Sequence, residues 1–369
     1  MASCLKAASL FLLQLLILTP SPAQKLSFSP TTISVGSSPR SVHLFDFDQD
    51  ALPDLVFANS LGQASVTVVL QSADGNMMRT LTTATGGFSS IAVTGQDFNH
   101  DGKADLAAVN ALTNNVSILL GNGDGTFRLA GTQPVQMGPI AIAAADFNQD
   151  RNMDLAVVNC STGNVSILLG NGDGTFAPAP TVNVGSAPTG LAIDDFNGDG
   201  IPDLAVLNGI LGKRAVQIFL GNGNGAFRAA GSVIVGNEPF SAATADFNHD
   251  GHRDLAVANL ASNNISILLG NGDGTFHPAV NYAAGKGPVA IKVGKFYNYN
   301  RLDLAVCANG SNEILILAGK GDGTFYAPQT FPAGGDCNSL AVGDLNLDGK
   351  MDIVTVNSSG LVVLYNTSQ

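Results

Sequence analysis

The polar chemistry of this 369-residue chain is concentrated in carboxylates at alternating positions. They belong to a nine-residue phrase that comes round seven times at steps of 49 or 51 residues. It reads DFDQDALPD from Asp46, DFNHDGKAD from Asp97, DFNQDRNMD from Asp146, DFNGDGIPD from Asp195, DFNHDGHRD from Asp246, an altered KFYNYNRLD from Lys295, and DLNLDGKMD from Asp344. Positions 1, 3, 5 and 9 of the six intact phrases hold 19 of the 29 Asp and Glu residues, so few are left for other work.

A turn with oxygen side chains at alternate positions aims them at one centre, and a cation that takes six to eight oxygens suits such a cage. Calcium is therefore the expected ion, about one per intact loop. Oxygen-only ligation disfavours zinc and copper, and the strict octahedron of magnesium fits poorly. The expected side-chain ligands are Asp46, Asp48, Asp50 and Asp54 in the first loop; Asp97, Asn99, Asp101 and Asp105 in the second; Asp146, Asn148, Asp150 and Asp154 in the third. The fourth offers Asp195, Asn197, Asp199 and Asp203, the fifth Asp246, Asn248, Asp250 and Asp254, and the seventh Asp344, Asn346, Asp348 and Asp352. Position 7 would add a backbone carbonyl from Leu52, Lys103, Asn152, Ile201, His252 or Lys350. Asp and Asn also form turns without any metal, but six phrases with one ligand spacing favour the ion. In the sixth loop Lys295, Tyr297 and Tyr299 displace three ligands and leave Asp303, so no calcium is expected there. With Arg301 they make a locally basic, tyrosine-bearing candidate patch for a partner, since such residue types often dominate interfaces.

The elements that must position these loops are short strands. In the third unit an apolar run after Pro139 leads into the loop, Leu155 to Val158 leads out, and Val165 to Leu169 and Thr181 to Val184 follow, separated by turn residues. The Asn-Gly and Asp-Gly pairs of the recurring GNGDGTF supply the positive φ of tight hairpins. Four-stranded units repeated radially make propeller blades, so the expected fold is all-β, a seven-bladed β-propeller in one domain, residues 24–369. The chain ends after a third strand in blade seven, and FSPTTISVG from Phe28 matches the fourth-strand stretch FAPAPTVNVG from Phe176. The N-terminal strand should therefore complete the last blade.

The DFNxDGxxD loops followed by LLGNGDGTF turns resemble FG-GAP (VCBS-type) repeats, the blades of the integrin α-subunit head and of many secreted bacterial proteins. The resemblance covers essentially the whole chain beyond residue 23. It implies one calcium between the first two strands of each intact blade, and a binding or adhesion role towards protein or matrix partners. No DxSxS adhesion module or further domain accompanies the blades, so integrin-style signalling is not implied.

Catalysis finds little support. His100 and His249 fall at position 4 of metal loops, His252 at position 7, and His277 after a turn, all expected at the surface, with His43 packed in a first strand. No GxSxG, HExxH or P-loop is present, and the close carboxylate pairs are committed to metal. A non-enzymatic binder is the leading reading. A carbohydrate-binding propeller is the alternative, weakened by the absence of Trp, and a calcium-dependent polysaccharide lyase ranks below it. The net charge of -12 argues against nucleic acid.

Lys6, the apolar run Leu10 to Leu18 and Ser21-Pro22-Ala23 have the form of a secretory signal, residues 1–23. The run is shorter than the roughly 20 residues of a spanning helix. The mature chain is expected to be a secreted or periplasmic monomer that does not insert in membranes. Cys307 ends the second strand of blade six, and Cys337 stands where Pro139, Pro188, Pro239 and Pro288 start a first strand, so the two are expected to meet in a disulfide.

Overall fold

A computed structural model of the chain describes residues 25–33, 35, 38–61, 63–72, 77–185, 187–209, 214–297, 300–358 and 360–368. The expected signal, residues 1–23, lies outside them, as does Tyr299. The described residues form seven antiparallel sheets and no helix.

Blades one to four place their strands, called a to d from the axis outwards, in simple chain order. Blade one pairs Pro39–Phe45, Asp54–Asn59, Gln63–Gln71 and Met77–Phe88. Blade two pairs Ser90–Gln96, Asp105–Asn110, Asn115–Gly121 and Phe127–Pro134. Blade three pairs Pro139–Ala145, Asp154–Asn159 and Asn164–Gly170 with a strand d split into Phe176–Pro178 and Val182–Asn183. Pro178 and Pro180 lack the N–H a ladder needs, which accounts for the split on this outer edge. Blade four pairs Pro188–Asp194, Asp203–Asn208, Ala215–Gly221 and Phe227–Ile234.

Blade five comprises Pro239–Ala245, Asp254–Asn259, Asn264–Leu268 and Val280–Ala283, and blade six Pro288–Gly294, Asp303–Ala308, Glu313–Leu317 and Gln329–Pro332. Blade seven takes Ser339–Gly343, Asp352–Asn357 and Gly360–Asn366 from the chain's end and Phe28–Ile33 from its beginning. Phe28 lies opposite Asn366 and Ile33 opposite Leu361, so the N-terminal strand closes the ring as its sequence match requires.

Every strand b is buried along its whole length, because both faces of each sheet are covered by neighbouring blades. The core is accordingly a set of inter-blade layers: one joins Phe98, Val109 and Ile118 of blade two to Leu155, Val157 and Phe176 of blade three. Strands a of consecutive blades touch in turn, and that of blade seven touches that of blade one, enclosing a central channel. The a-to-b loops lie at one end of the channel and the b-to-c turns at the other.

One inter-blade joint recurs beside the loops. The phenylalanine at loop position 2 stacks edge-to-face on the phenylalanine of the next blade's GNGDGTF or GNGNGAF turn: Phe47 on Phe127, Phe98 on Phe176, Phe147 on Phe227, Phe196 on Phe276 and Phe247 on Phe325, with centroids 5.4–5.7 Å apart. The third glycine of the turn motif donates to the carbonyl of that same residue, as Gly125 does to Phe47 at 3.1 Å. Gly125 has φ +78°, and a Cβ there would come within 2.7 Å of Leu70, so glycine is required twice over.

The joint fails at blade seven, whose strand d comes from the N-terminus and brings no such turn. Leu26 and Tyr297 join the buried cluster between blades six and seven. The Cys307–Cys337 disulfide ties strand b of blade six to the start of strand a of blade seven, with Cα atoms 5.9 Å apart. At the opposite seam the Gln71 side chain donates to the Leu345 carbonyl of blade seven.

Candidate metal centre

Each intact loop is folded by its own carboxylates. The position 1 carboxylate accepts the N–H groups of positions 5 and 6: Asp97 from Asp101 at 3.2 Å and Gly102 at 2.9 Å, Asp246 from Asp250 at 3.2 Å and Gly251 at 3.0 Å. The position 5 carboxylate accepts the N–H of position 7, from Leu52, Lys103, Asn152, Ile201, His252 and Lys350 at 2.8–2.9 Å. These bonds require left-handed backbone at positions 4 and 6. Gln49, His100, Gln149, His249 and Leu347 adopt it at position 4, and Ala51 and Arg151 at position 6, where other loops carry glycine. Non-glycine residues in this region are strained, and the alternation brings the side chains at 1, 3 and 5 to one side.

In the first loop ligand atoms of Asp46, Asp48 and Asp50 all lie within 4.8 Å of one another. Burial raises the Asp48 pKa, and the charges of Asp50 and Asp46 raise it further. Its Oδ1 is buried without a hydrogen-bond partner, an orphaned acceptor in a ring of carboxylates. In the other five loops the middle ligand is an asparagine, and in four of them its amide donates to the position 5 carboxylate, as Asn148 does to Asp150 at 2.9 Å and Asn248 to Asp250 at 2.7 Å. Asn197 donates likewise to Asp199. The neutral amide thus relieves the repulsion that the all-carboxylate loop retains. The donor set is oxygen throughout and fits a hard divalent cation.

Position 9 has a second duty that the spacing does not reveal. Asp105 is fully buried, its Oδ2 accepting the Phe98 N–H at 2.9 Å and its Oδ1 the Gly121 N–H at 2.8 Å. Asp54, Asp154, Asp203, Asp254 and Asp352 make the same pair of bonds. Burial, the largest cause, pushes all six up to about 6 against the opposing pull of those N–H groups. Asp303 of the altered loop keeps the same role, bonded to Phe296 and Gly319 at 2.9 Å each. Position 9 is therefore a staple between the loop base and the end of strand c in all seven blades. Each oxygen keeps a lone pair for a cation.

The sixth loop departs from the exposed patch expected there. Tyr297 is only 3% exposed, drawn into the blade six–seven cluster with Leu26 because no turn phenylalanine fills that seam. Arg301 is partly buried and donates to the Lys320 carbonyl at 3.4 Å. Lys295 is exposed. The Tyr297 ring cannot be a surface contact; it is packing.

Of the histidines, His100, His249, His252 and His277 are exposed, and His100 Nε2 lies 2.8 Å from Asn152 Oδ1 of the next loop. A further set escaped the spacing argument: six of seven strands b end in Asn, and Asn110 donates to Asn115 and Ser117 at 2.8 and 2.7 Å. Asn159 and Asn259 bond their strands c likewise. The recurring DLAxxN was the available signal.

Among solved structures the chain is similar in fold to BBS1N in complex with ARL6DN, at 14% identity and TM-score 0.64, covering 92% of this chain and 95% of that one. It is similar also to the periplasmic gluconolactonase PpgL of Pseudomonas aeruginosa, at 17% identity, TM-score 0.59, and 82% and 88% coverage. A putative 6-phosphogluconolactonase from Bacteroides uniformis ATCC 8492 matches at 15% identity, TM-score 0.62, and 81% and 90% coverage. At such identities the likeness is one of fold alone. A search of curated proteins gives no match. The model of the FG-GAP-like repeat matches six times, over residues 46–108, 97–157, 146–206, 195–257, 246–296 and 296–355. With those matches running through most of the chain and seven sheets closed in a ring, the chain belongs to the FG-GAP-like repeat family.

Proposed function

We propose that this protein is an exported, calcium-binding propeller that acts without catalysis as a binding or adhesion module for protein or matrix partners. The observation that carries the metal reading is the buried, unpartnered Oδ1 of Asp48 between two further carboxylates. An isolated buried charge is costly unless it is paired or coordinates a metal. Asp46, Asp48 and Asp50 would hold the ion in blade one, and the matching Asp, Asn and Asp residues in the other five intact blades. Calcium there would neutralise the loop carboxylates and stiffen the turn that joins strands a and b.

Partner binding is supported by the family and by the fold's use elsewhere, since a propeller of similar shape is recorded in complex with a protein, ARL6DN. No histidine lies in the carboxylate group of the first loop, and His43, the one not fully at the surface, sits on strand a. Elemental analysis of dialysed protein should find close to six calcium ions per chain. Pull-down and glycan-array screening with calcium and with EGTA then separates the protein binder from the carbohydrate binder. Absence of calcium from the protein, or capture of glycans alone, overturns the corresponding half of the proposal. N-terminal sequencing of the exported product tests the signal.

A further inference from the structure

The central channel carries a polar asymmetry unrelated to the calcium loops. The third residue before each loop sits at the same level of strand a, and from blade one to blade seven these are His43, Thr94, three alanines, Lys292 and Ala341. The basic pair belongs to blades one and six, with only blade seven and its small Ala341 between them. His43 lies opposite Val56 and Lys292 opposite Ala305, the third residue of strand b in each blade, so the two stand at one level on either side of blade seven, near enough for the Lys292 charge to reach the imidazole. One level deeper, two residues earlier along each strand, Ser41 and Ser339 stand on the same arc. The opposite arc presents Ala143, Ala192 and Ala243 at the first level and Ser241 at the deeper one, with no charged group at either.

These groups are short of partners. Lys292 makes no ion pair or hydrogen bond among the described residues, and the single ion pair found, Arg253 with Asp194 at 3.1 Å, lies on blades five and four at the loop end. Ser41 Oγ is buried with no hydrogen-bond partner. Burial pushes the Lys292 ammonium below its usual range and the His43 imidazole down to about 3, with the Lys292 charge as the second cause for His43. A half-buried cation with no ion pair and a buried hydroxyl with no acceptor, in a protein otherwise rich in carboxylates, leave donors that a ligand would complete.

We propose that the channel is a binding site for one small oxyanion, held by Lys292 with Ser41 and His43 beside it and admitted by the small residues around it. The chemistry fits a tetrahedral sulfate- or phosphate-type group or a carboxylate; the alanine lining limits it to a small ligand. The calcium loops take no part, so this site and the metal reading stand or fall separately.

Calorimetric titration of the calcium-loaded protein with sulfate and, separately, with acetate at constant ionic strength tests it. Both anions leave calcium in solution, and their ratio distinguishes the two sources. One saturable site per chain is expected for at least one of them. Lys292→Met should weaken it by roughly tenfold or more, the size of one lost charge-assisted contact, and Ser41→Ala, which removes only a hydroxyl, should weaken it several-fold with the melting temperature kept. Should Lys292→Met fail to fold, reductive methylation of Lys292 in the parent protein, mapped by mass spectrometry, replaces it: the bound anion should slow modification there and not at exposed Lys295. No saturable heat with either anion, or unchanged affinity in Ser41→Ala together with unprotected Lys292, overturns the proposal.

Discussion

The position 9 aspartates separate two roles that share one residue. If Asp303 were only the remnant of a lost metal site, its removal would be silent; as an acceptor of buried N–H groups it is not. Asp303→Ala is expected to cost about 1–3 kcal/mol for each orphaned donor, seen as a lower melting temperature with and without calcium. An unchanged melt would show that the bonds from Phe296 and Gly319 carry no weight. The raised pKa values fix a pH dependence of two opposite signs. Between the ordinary carboxylate value of 3.8 and about 6 the folded, calcium-free protein binds more protons than the unfolded chain at these positions. Its stability should therefore rise as pH falls through that window. Calcium wants the ionised form, so its affinity should fall as pH drops below about 6, as protons compete for the ligands. Calorimetry of calcium binding at about pH 7.5 and about pH 5, beside melts in EGTA, checks both signs.

At the level of strands and blades, the seam between blades six and seven gathers several irregularities of the repeat. Strand d of blade seven starts the chain, the turn phenylalanine is missing, Tyr297 and Leu26 fill the gap, and Cys307–Cys337 crosses it. One explanation covers all of these. A ring closed non-covalently by an N-terminal strand has one joint without a continuous chain, and extra packing and a covalent bond sit beside it. Deleting residues 24–36 removes the partner of Gly360–Asn366 and leaves an open edge, so insoluble or far less stable protein is expected. Tyr297→Ser should lower the melting temperature by the equivalent of about 3–5 kcal/mol, the usual cost of emptying a large core site. A double-blind choice between surface and core is thus available: a stable variant with weakened partner binding would restore the surface reading of Tyr297.

For the molecule as a whole, the proposed calcium sites would act together. At ten times its dissociation constant each ion adds about 1.4 kcal/mol by linkage, and six such terms are comparable with the ~5–15 kcal/mol net stability of a domain. EGTA should lower the melting temperature steeply and in proportion to the number of intact loops; altering the position 1, 3 and 5 ligands of one loop should remove a fraction of the shift. A melt that ignores EGTA would remove calcium from the account of stability.

The blade count, the strand order and the closing strand were all legible in the sequence, because a radial repeat writes its period directly into the chain and a matching fragment at each end marks the joint. The Cys307–Cys337 pair was legible for the same reason: the end of one blade's strand b and the entry to the next blade's strand a lie on the same face of the ring in neighbouring blades. Three things depended on contacts that lie outside the loop phrase itself. Asp54 and its counterparts are staples because the hydrogen-bond donors come from strand c, 16 or more residues away in most blades. Tyr297 is buried because the next blade lacks a turn, a fact about its neighbour and not about its own loop. His43 and Lys292, 249 positions apart in sequence, share a channel only because the ring closes through blade seven. Periodicity fixes what each blade is; ring closure decides what the blades do to one another.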